Sequence, residues 1–343
     1  RGRKMQEMRG LVLRLLAAVY LVAFASVFLQ APGLYGKEGL LPVSLVADRV
    51  AALPAGVAWS ARPDGVDPEA WLDLICAAGM ALGLVACAAP YAPLFLATFL
   101  LYTAVLLCGQ TFLSFQWDIF LLEVGGLAVL LAPLSPLTRD RPPSRAVVLA
   151  FHWCLFKIML MSGVVKIQAR CDTWMSLTAL HYHYATQCLP TAGAWYAHQL
   201  PNALQKLSVA GTYLIEIPGA LLYILPWPQA RALGAILNIL LMAAIMLTGN
   251  YTFFNVLTLA LTLSLLDARA PPGGRAGNLR TGSLHHDTAN EEPAANKAAH
   301  EATPADKESR AANEDARAPL QGGTHCEHPR ARGTGKSGPA RIW

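Results

Sequence analysis

Up to residue 267 the chain alternates long apolar runs with short polar breaks, and after it the alternation stops. Eight apolar runs are legible, at about 11–29, 71–89, 91–107, 119–134, 146–167, 207–225, 230–248 and 252–267. An α-helix needs ~20 such residues to cross a hydrocarbon core of ~30 Å. The fourth and eighth runs are short by that measure. Prolines punctuate the series: Pro90 and Pro93 break the second run from the third, Pro133, Pro136, Pro142 and Pro143 close the fourth, and Pro226 and Pro228 part the sixth from the seventh. Trp71, Tyr91, Trp117 and Trp227 fall near run ends, where amphipathic rings favour the membrane interface. The pattern predicts an all-α fold, a polytopic membrane helix bundle of about eight spans over residues 11–267.

Basic residues in short loops orient such a bundle, because they are retained on the cytosolic side. Arg1, Arg3, Lys4 and Arg9 put the N-terminal segment 1–10 in the cytosol. With eight spans, Arg139, Arg141 and Arg145, then Arg231, then Arg269, Arg275 and Arg280 fall on the same side. The opposite face receives 30–70, 108–118 and 168–206. That face corresponds to the lumen of the endoplasmic reticulum or its topological equivalent, an oxidising space where a disulfide persists. Cys171 and Cys188 lie there, as a disulfide or as two thiols engaged in exchange. The Asn250-Tyr251-Thr252 sequon also faces the lumen. It sits tightly between two spans, so Asn250 is a weak glycosylation candidate.

Residues 268–343 are rich in Ala, Gly, Pro and charge and carry almost no large apolar side chains. Such a segment cannot bury enough surface to offset the entropy of ordering, so a disordered C-terminal tail is expected. The 343-residue chain is 54% hydrophobic and 14% charged, against ~25% charged in an average soluble domain. Its formal charge of +5 is dispersed and gives no reason to invoke nucleic acid. The lipid bilayer is its expected surroundings.

A few polar groups interrupt the apolar runs: Glu123, His152, Lys157, Lys166 and Glu216. Ionisable groups at bilayer depth are costly and demand partners. At ~100° per residue, His152, Met159, Gly163 and Lys166 share a helix face and Lys157 points elsewhere. Lys166 is close enough to a span end to snorkel without a partner. Lys157 is expected to meet a carboxylate, carbonyl or water inside the bundle, with Glu123 and Glu216 the available acids. The structural reading is a buried ion pair that fixes helix packing, and the functional one a proton relay or polar substrate site. The loop that follows, QARCDTWMSLTALHYHYATQCLP, is aromatic and polar. In extended form His181-Tyr182-His183-Tyr184 places both histidines on one side. Two histidines at that spacing lack a third metal ligand, and the tail histidines match no closed zinc site. No catalytic, cofactor or metal site is expected.

Several long segments, in order, resemble the lipase maturation factor family. APGLYGKEGLLP (31–42) resembles its first lumenal segment, and FQWDIFLLEVG (115–125) resembles its aromatic-acid motif. FHWCLFKIMLMSGVVKI (151–167) and RCDTWMSLTALHYHYATQCLPTAGAWYAHQLP (170–201) resemble the family's basic span and the loop after it. TYLIEIPGALLYILP and LTGNYTFFNVLTLALTLSLLD carry the likeness to Asp267. The family usually has Arg where this chain has His152 and Lys157, and Glu where it has Ala185. Family members continue into a further lumenal domain where this chain has its low-complexity tail, so a truncated or divergent form is expected.

The resemblance implies a multi-pass endoplasmic reticulum membrane protein, not an enzyme and without a cofactor. Its implied role is to assist folding, assembly and secretion of dimeric lipases, its folding clients. The 168–206 loop, with Trp174, His181, His183, Tyr184, Gln187 and Trp195, is the expected client-facing surface. The alternatives are an integral membrane enzyme with a carboxylase-like helix bundle, which would need Lys157 or Glu216 for turnover, and a transporter, which would show inverted repeats.

Overall fold

A computed structural model describes residues 2–135, 143–187 and 189–266. The expected tail and Cys188 lie outside the described residues. Among those described, the chain is helical and no strand occurs. The helices are α1 (Gly2–Leu34), α2 (Ala47–Ala51), α3 (Val57–Ser60), α4 (Pro68–Ala88), α5 (Ala92–Cys108), α6 (Gln116–Leu131) and α7 (Arg145–Gln168). They continue as α8 (Asp172–Met175), α9 (Ala179–Thr186), α10 (Ala192–His198), α11 (Asn202–Glu216), α12 (Pro218–Leu221), α13 (Pro228–Thr248) and α14 (Phe254–Ser264).

Among the described residues, four helices are long and apolar enough to cross a membrane: α1 over Gln6–Leu34, α4, α7 and α13. α5 and α14 are apolar but shorter. The expectation of eight spans is not confirmed. The sixth run, read as one span over 207–225, is broken. α11 stops at Glu216, and the chain restarts at Pro218 as the short α12. Pro218 has no N–H to donate and its ring collides with the carbonyl four residues back, so the helix cannot run through it. The fourth run forms the 16-residue α6, about 24 Å long at 1.5 Å per residue and shorter than a bilayer core.

The core centres on α1, which packs along α4 and also meets α5, α6 and α14. Tyr20 and Phe24 of α1 set their rings against Tyr102 of α5, with centroids 5.9 and 5.3 Å apart and nearly perpendicular planes. Edge-to-face packing of this kind adds to simple burial. The approach of α1 to α6 depends on Gly125, because a Cβ there would lie 1.7 Å from the Tyr20 hydroxyl. Gly126 is different: a Cβ there meets nothing nearer than the Phe99 ring at 3.8 Å. Of the two adjacent glycines, only Gly125 is required by this chain's own neighbours.

Residues 30–70 form a folded cap rather than an open loop. The buried Trp59 indole donates to the Ala104 carbonyl at 2.9 Å, and Trp71 donates to the Ala58 carbonyl at 2.9 Å. The Tyr35 hydroxyl donates to the Gly109 carbonyl at 3.1 Å. These bonds fasten α2 and α3 over the end of α5. Asp118, at the start of α6, is 2% exposed and accepts from the Tyr102 hydroxyl at 2.7 Å.

Candidate functional site

The segment between α7 and α11 folds into three short helices, α8, α9 and α10, that form a layer against the ends of α7, α11 and α13. Arg170 and Leu177 adopt positive φ values of 46° and 60°, which turn the chain sharply on either side of α8. Thr191 starts α10 by accepting a hydrogen bond from the Ala194 amide at 3.1 Å. The extended reading of 181–184 is corrected: these residues lie in α9, so the histidines and tyrosines do not segregate to opposite sides of a strand. Short apolar-polar alternation was a weak signal against a helix cradled by its neighbours.

Three of the expected site residues converge on the α13–α14 turn. His183 Nε2 and the Tyr251 hydroxyl share a 2.8 Å hydrogen bond, and their rings stack with centroids 6.0 Å apart. Gln187 donates through Nε2 to the Thr248 carbonyl at 2.8 Å. That carbonyl belongs to the last turn of α13, whose final acceptors lack intrahelical donors, so Gln187 serves as a cap. Tyr184 stands beside His183, with ring centroids 6.1 Å apart. Burial holds the His183 pKa below its ordinary 6.5, favouring the neutral ring. Burial, with Tyr184 nearby, pushes the Tyr251 hydroxyl up to about 12. Burial also raises the Tyr184 pKa, partly offset by hydrogen bonding with Thr248.

The backbone of α10 touches the same end of α13. A Cβ at Gly193 would lie 1.8 Å from the Leu247 carbonyl oxygen, so only glycine permits this approach. His181 Nε2 is 3.0 Å from Asn202 Oδ1, tying α9 to the start of α11. Trp174 of α8 packs edge-on to Tyr213 at 6.0 Å, with Lys166 Nζ 5.2 Å from its ring centre. These aromatic and polar side chains therefore face inward. The outward ones are Trp195, 62% exposed, together with Tyr182 and Tyr196, which the sequence reading did not single out. Cys171 is disulfide-bonded, and Cys188 lies outside the described residues.

Lys166 does not snorkel unpartnered, as the sequence suggested. Its Nζ donates to Glu216 at 2.9 and 2.7 Å and to the Ser162 carbonyl at 2.9 Å. Gly163, one turn from Lys166, lets α11 close in: a Cβ there would lie 2.5 Å from Ile217 and 3.0 Å from the Glu216 Cβ. Lys157 pairs with Glu123, but the pair is not buried. The two side chains retain 39% and 41% exposure. The helical-wheel reading placed Lys157 away from the packed face correctly, and the assumption of a buried partner was the error. His152 is buried and its Nε2 lies 3.0 Å from the Ser264 carbonyl, joining α7 to α14.

Asn250 is exposed, and its Oδ1 accepts from the Thr252 amide at 3.2 Å across the sequon. Cys76, Cys87, Cys108 and Cys154 are free thiols, all but Cys87 buried. A second polar group, missed from sequence, lies between α13 and α14: buried Asn238 donates to Thr262 at 2.6 Å. An asparagine inside the seventh apolar run was the available signal. No group of three or more metal-ligating side chains occurs among the described residues.

Residues 7–271 match the family model described as lipase maturation factor transmembrane domain. The chain is 44% identical to lipase maturation factor 2 of Gallus gallus, covering 78% of this chain and 39% of that protein. Against lipase maturation factor 2 of Homo sapiens the identity is 42%, over 77% of this chain and 41% of the relative. Against lipase maturation factor 1 of Mus musculus it is 33%, over 76% and 48%. The chain thus spans less than half the length of the curated relatives it matches. No solved structure matches it.

Proposed function

The chain belongs to the lipase maturation factor family, and from that premise we propose that it assists folding, assembly and secretion of dimeric lipases as a multi-pass endoplasmic reticulum membrane protein. It works without chemistry of its own: the α8–α10 layer is a docking surface for incompletely assembled client. The observation that carries this reading is the division of labour inside the layer. His181, His183, Gln187 and Trp174 are engaged with the bundle, while Tyr182, Trp195 and Tyr196 are left outward. Exposed aromatics on a rigid support suit the recognition of apolar surface that a client has yet to bury.

The basic loops orient the bundle so that this layer faces the lumen, where clients fold. A bond between Cys171 and Cys188 would close the layer into one covalent loop and stabilise it by about 3 kcal/mol. Lys166, Glu216, Lys157 and Glu123 hold helices together rather than reacting.

The test is rescue of lipase secretion in cells lacking endogenous maturation factors, with and without 168–206 replaced by a neutral linker. The intact chain is expected to restore active lipase to the medium and to co-precipitate the client. The linker variant should do neither, at equal membrane abundance. Unchanged capture by the linker variant overturns the assignment of the surface, and failure of the intact chain overturns the assignment of function.

A further inference from the structure

Lys157 and Glu123 bridge α7 and α6 on the outside of the bundle. Along the middle of α7, residues 153, 157 and 161 mark one narrow outward stripe, and the residues between them are mostly buried. Trp153 and Met161, on either side of Lys157, are 56% and 55% exposed. On α6 the corresponding stripe runs through Ile119, Glu123 and Leu130. Each charge therefore sits half open in a strip otherwise suited to lipid. Ionisable groups at this depth almost always face a bundle interior or a water-filled cavity. An ammonium has three donors and a carboxylate about four acceptor positions, so the bond between the two leaves capacity on both.

Gly126 lies three residues from Glu123 and so on the same face of α6. Nothing in the chain's own packing excludes a side chain at this position, in contrast to Gly125. A small residue on an outward membrane face allows a second helix to come close.

We propose that the α6–α7 face is a self-association surface, and that its occupant is a second copy of this chain. Symmetry carries the choice of occupant. Two copies with the same orientation in one bilayer form a closed pair about a two-fold axis along the membrane normal. That rotation preserves depth and exchanges left for right. Lys157 and Glu123 share a depth because they are bonded to each other. The rotation therefore brings Glu123 of one copy opposite Lys157 of the other, twice over. Four charges then alternate around a ring that is withdrawn from lipid, and Gly126 gives the backbones room to approach. An unrelated partner would need a matching pair of its own at the same depth, whereas a second copy has one by construction. The inference concerns assembly and goes beyond the client-handling role.

The test counts copies by single-molecule photobleaching of the full chain, fluorescently tagged and extracted with its native lipid. The wild-type chain is expected as dimers. Glu123→Lys alone and Lys157→Glu alone oppose like charges at the interface, and each is expected as monomers. Co-expressed, these two variants still carry like charges within each chain, yet every contact between chains joins opposite signs. Mixed dimers are expected, favoured over either self-pair by about tenfold or more. Gly126→Ile keeps the ion pair, blocks the approach, and is expected to be monomeric while reaching the membrane, folded, at normal abundance. A monomeric wild type, or one copy held by a different membrane protein, overturns the proposal. So do monomers in the mixture, and so do dimers of Gly126→Ile.

Discussion

Lys166 Nζ lies 2.7 Å from Glu216 Oε2, and the pair closes the joint where α11 breaks against α7. Both side chains are well buried, at 18% and 6% exposure. Removing one partner leaves the other charge uncompensated, which costs about 3–5 kcal/mol, whereas replacing both with apolar side chains of similar volume is often neutral. Glu216→Leu and Lys166→Met should each lower the unfolding midpoint of the purified protein sharply. The double variant should recover most of the loss. A double variant as unstable as the worse single one would show that the pair matters for more than packing.

Gly125 and Tyr20 make a second testable contact. Gly125→Ala places a methyl group where the Tyr20 hydroxyl stands, and overpacking of that kind costs about 1–3 kcal/mol. Tyr20→Phe removes the obstructing oxygen, so the two substitutions together should be more stable than Gly125→Ala alone. A double-mutant cycle read by thermal unfolding gives the coupling directly. Gly126→Ala, one position along, meets no such obstacle and should leave the monomer as stable or raise its stability by up to about 1 kcal/mol through helix propensity.

The layer should loosen in mild acid. Burial holds the His183 pKa below 6.5 in the folded protein, so the unfolded segment takes up a proton first. Its contribution to stability is complete above pH 6.5 and declines as pH falls through the lowered folded value. Limited proteolysis of 168–206 should therefore accelerate below pH 6.5, and His183→Gln should flatten that dependence. Equal acceleration in the variant would assign the effect to another group.

Trp195 and Gln187 should separate capture from folding. Trp195→Ser, alone or with Tyr196→Ser, removes exposed rings and should leave the unfolding midpoint within experimental error while lipase capture falls several-fold. Gln187→Ala removes the cap on α13 and should cost about 1 kcal/mol. Its effect on capture should follow that loss of stability. Normal capture by the Trp195→Ser, Tyr196→Ser chain would place the client elsewhere.

The apolar runs were legible because hydrophobic length is a property of composition, and α1, α4, α7 and α13 follow it closely. The break at Pro218 was also present in the sequence, yet flanking leucines and isoleucines hid it inside a continuous hydropathy signal. Depth and partner were harder. Lys157 and Lys166 look alike on the chain, and only the packing of α11 against Gly163 decides that Lys166 receives Glu216. The residues of 168–206 were identified as a group, but not which way they turn. That depends on Thr248 and Tyr251, more than sixty positions away from Gln187 and His183.

The contact between Gly193 and the Leu247 carbonyl has a mechanical consequence. Trp195 stands two residues from Gly193, and Gly193 rests backbone to backbone on α13, a helix long and apolar enough to cross a membrane. Force applied at that indole passes into α13 without crossing a flexible linker. Under the proposed function, a lipase gripped there would be held on a stiff post anchored in the membrane and would fold against that post without drifting away.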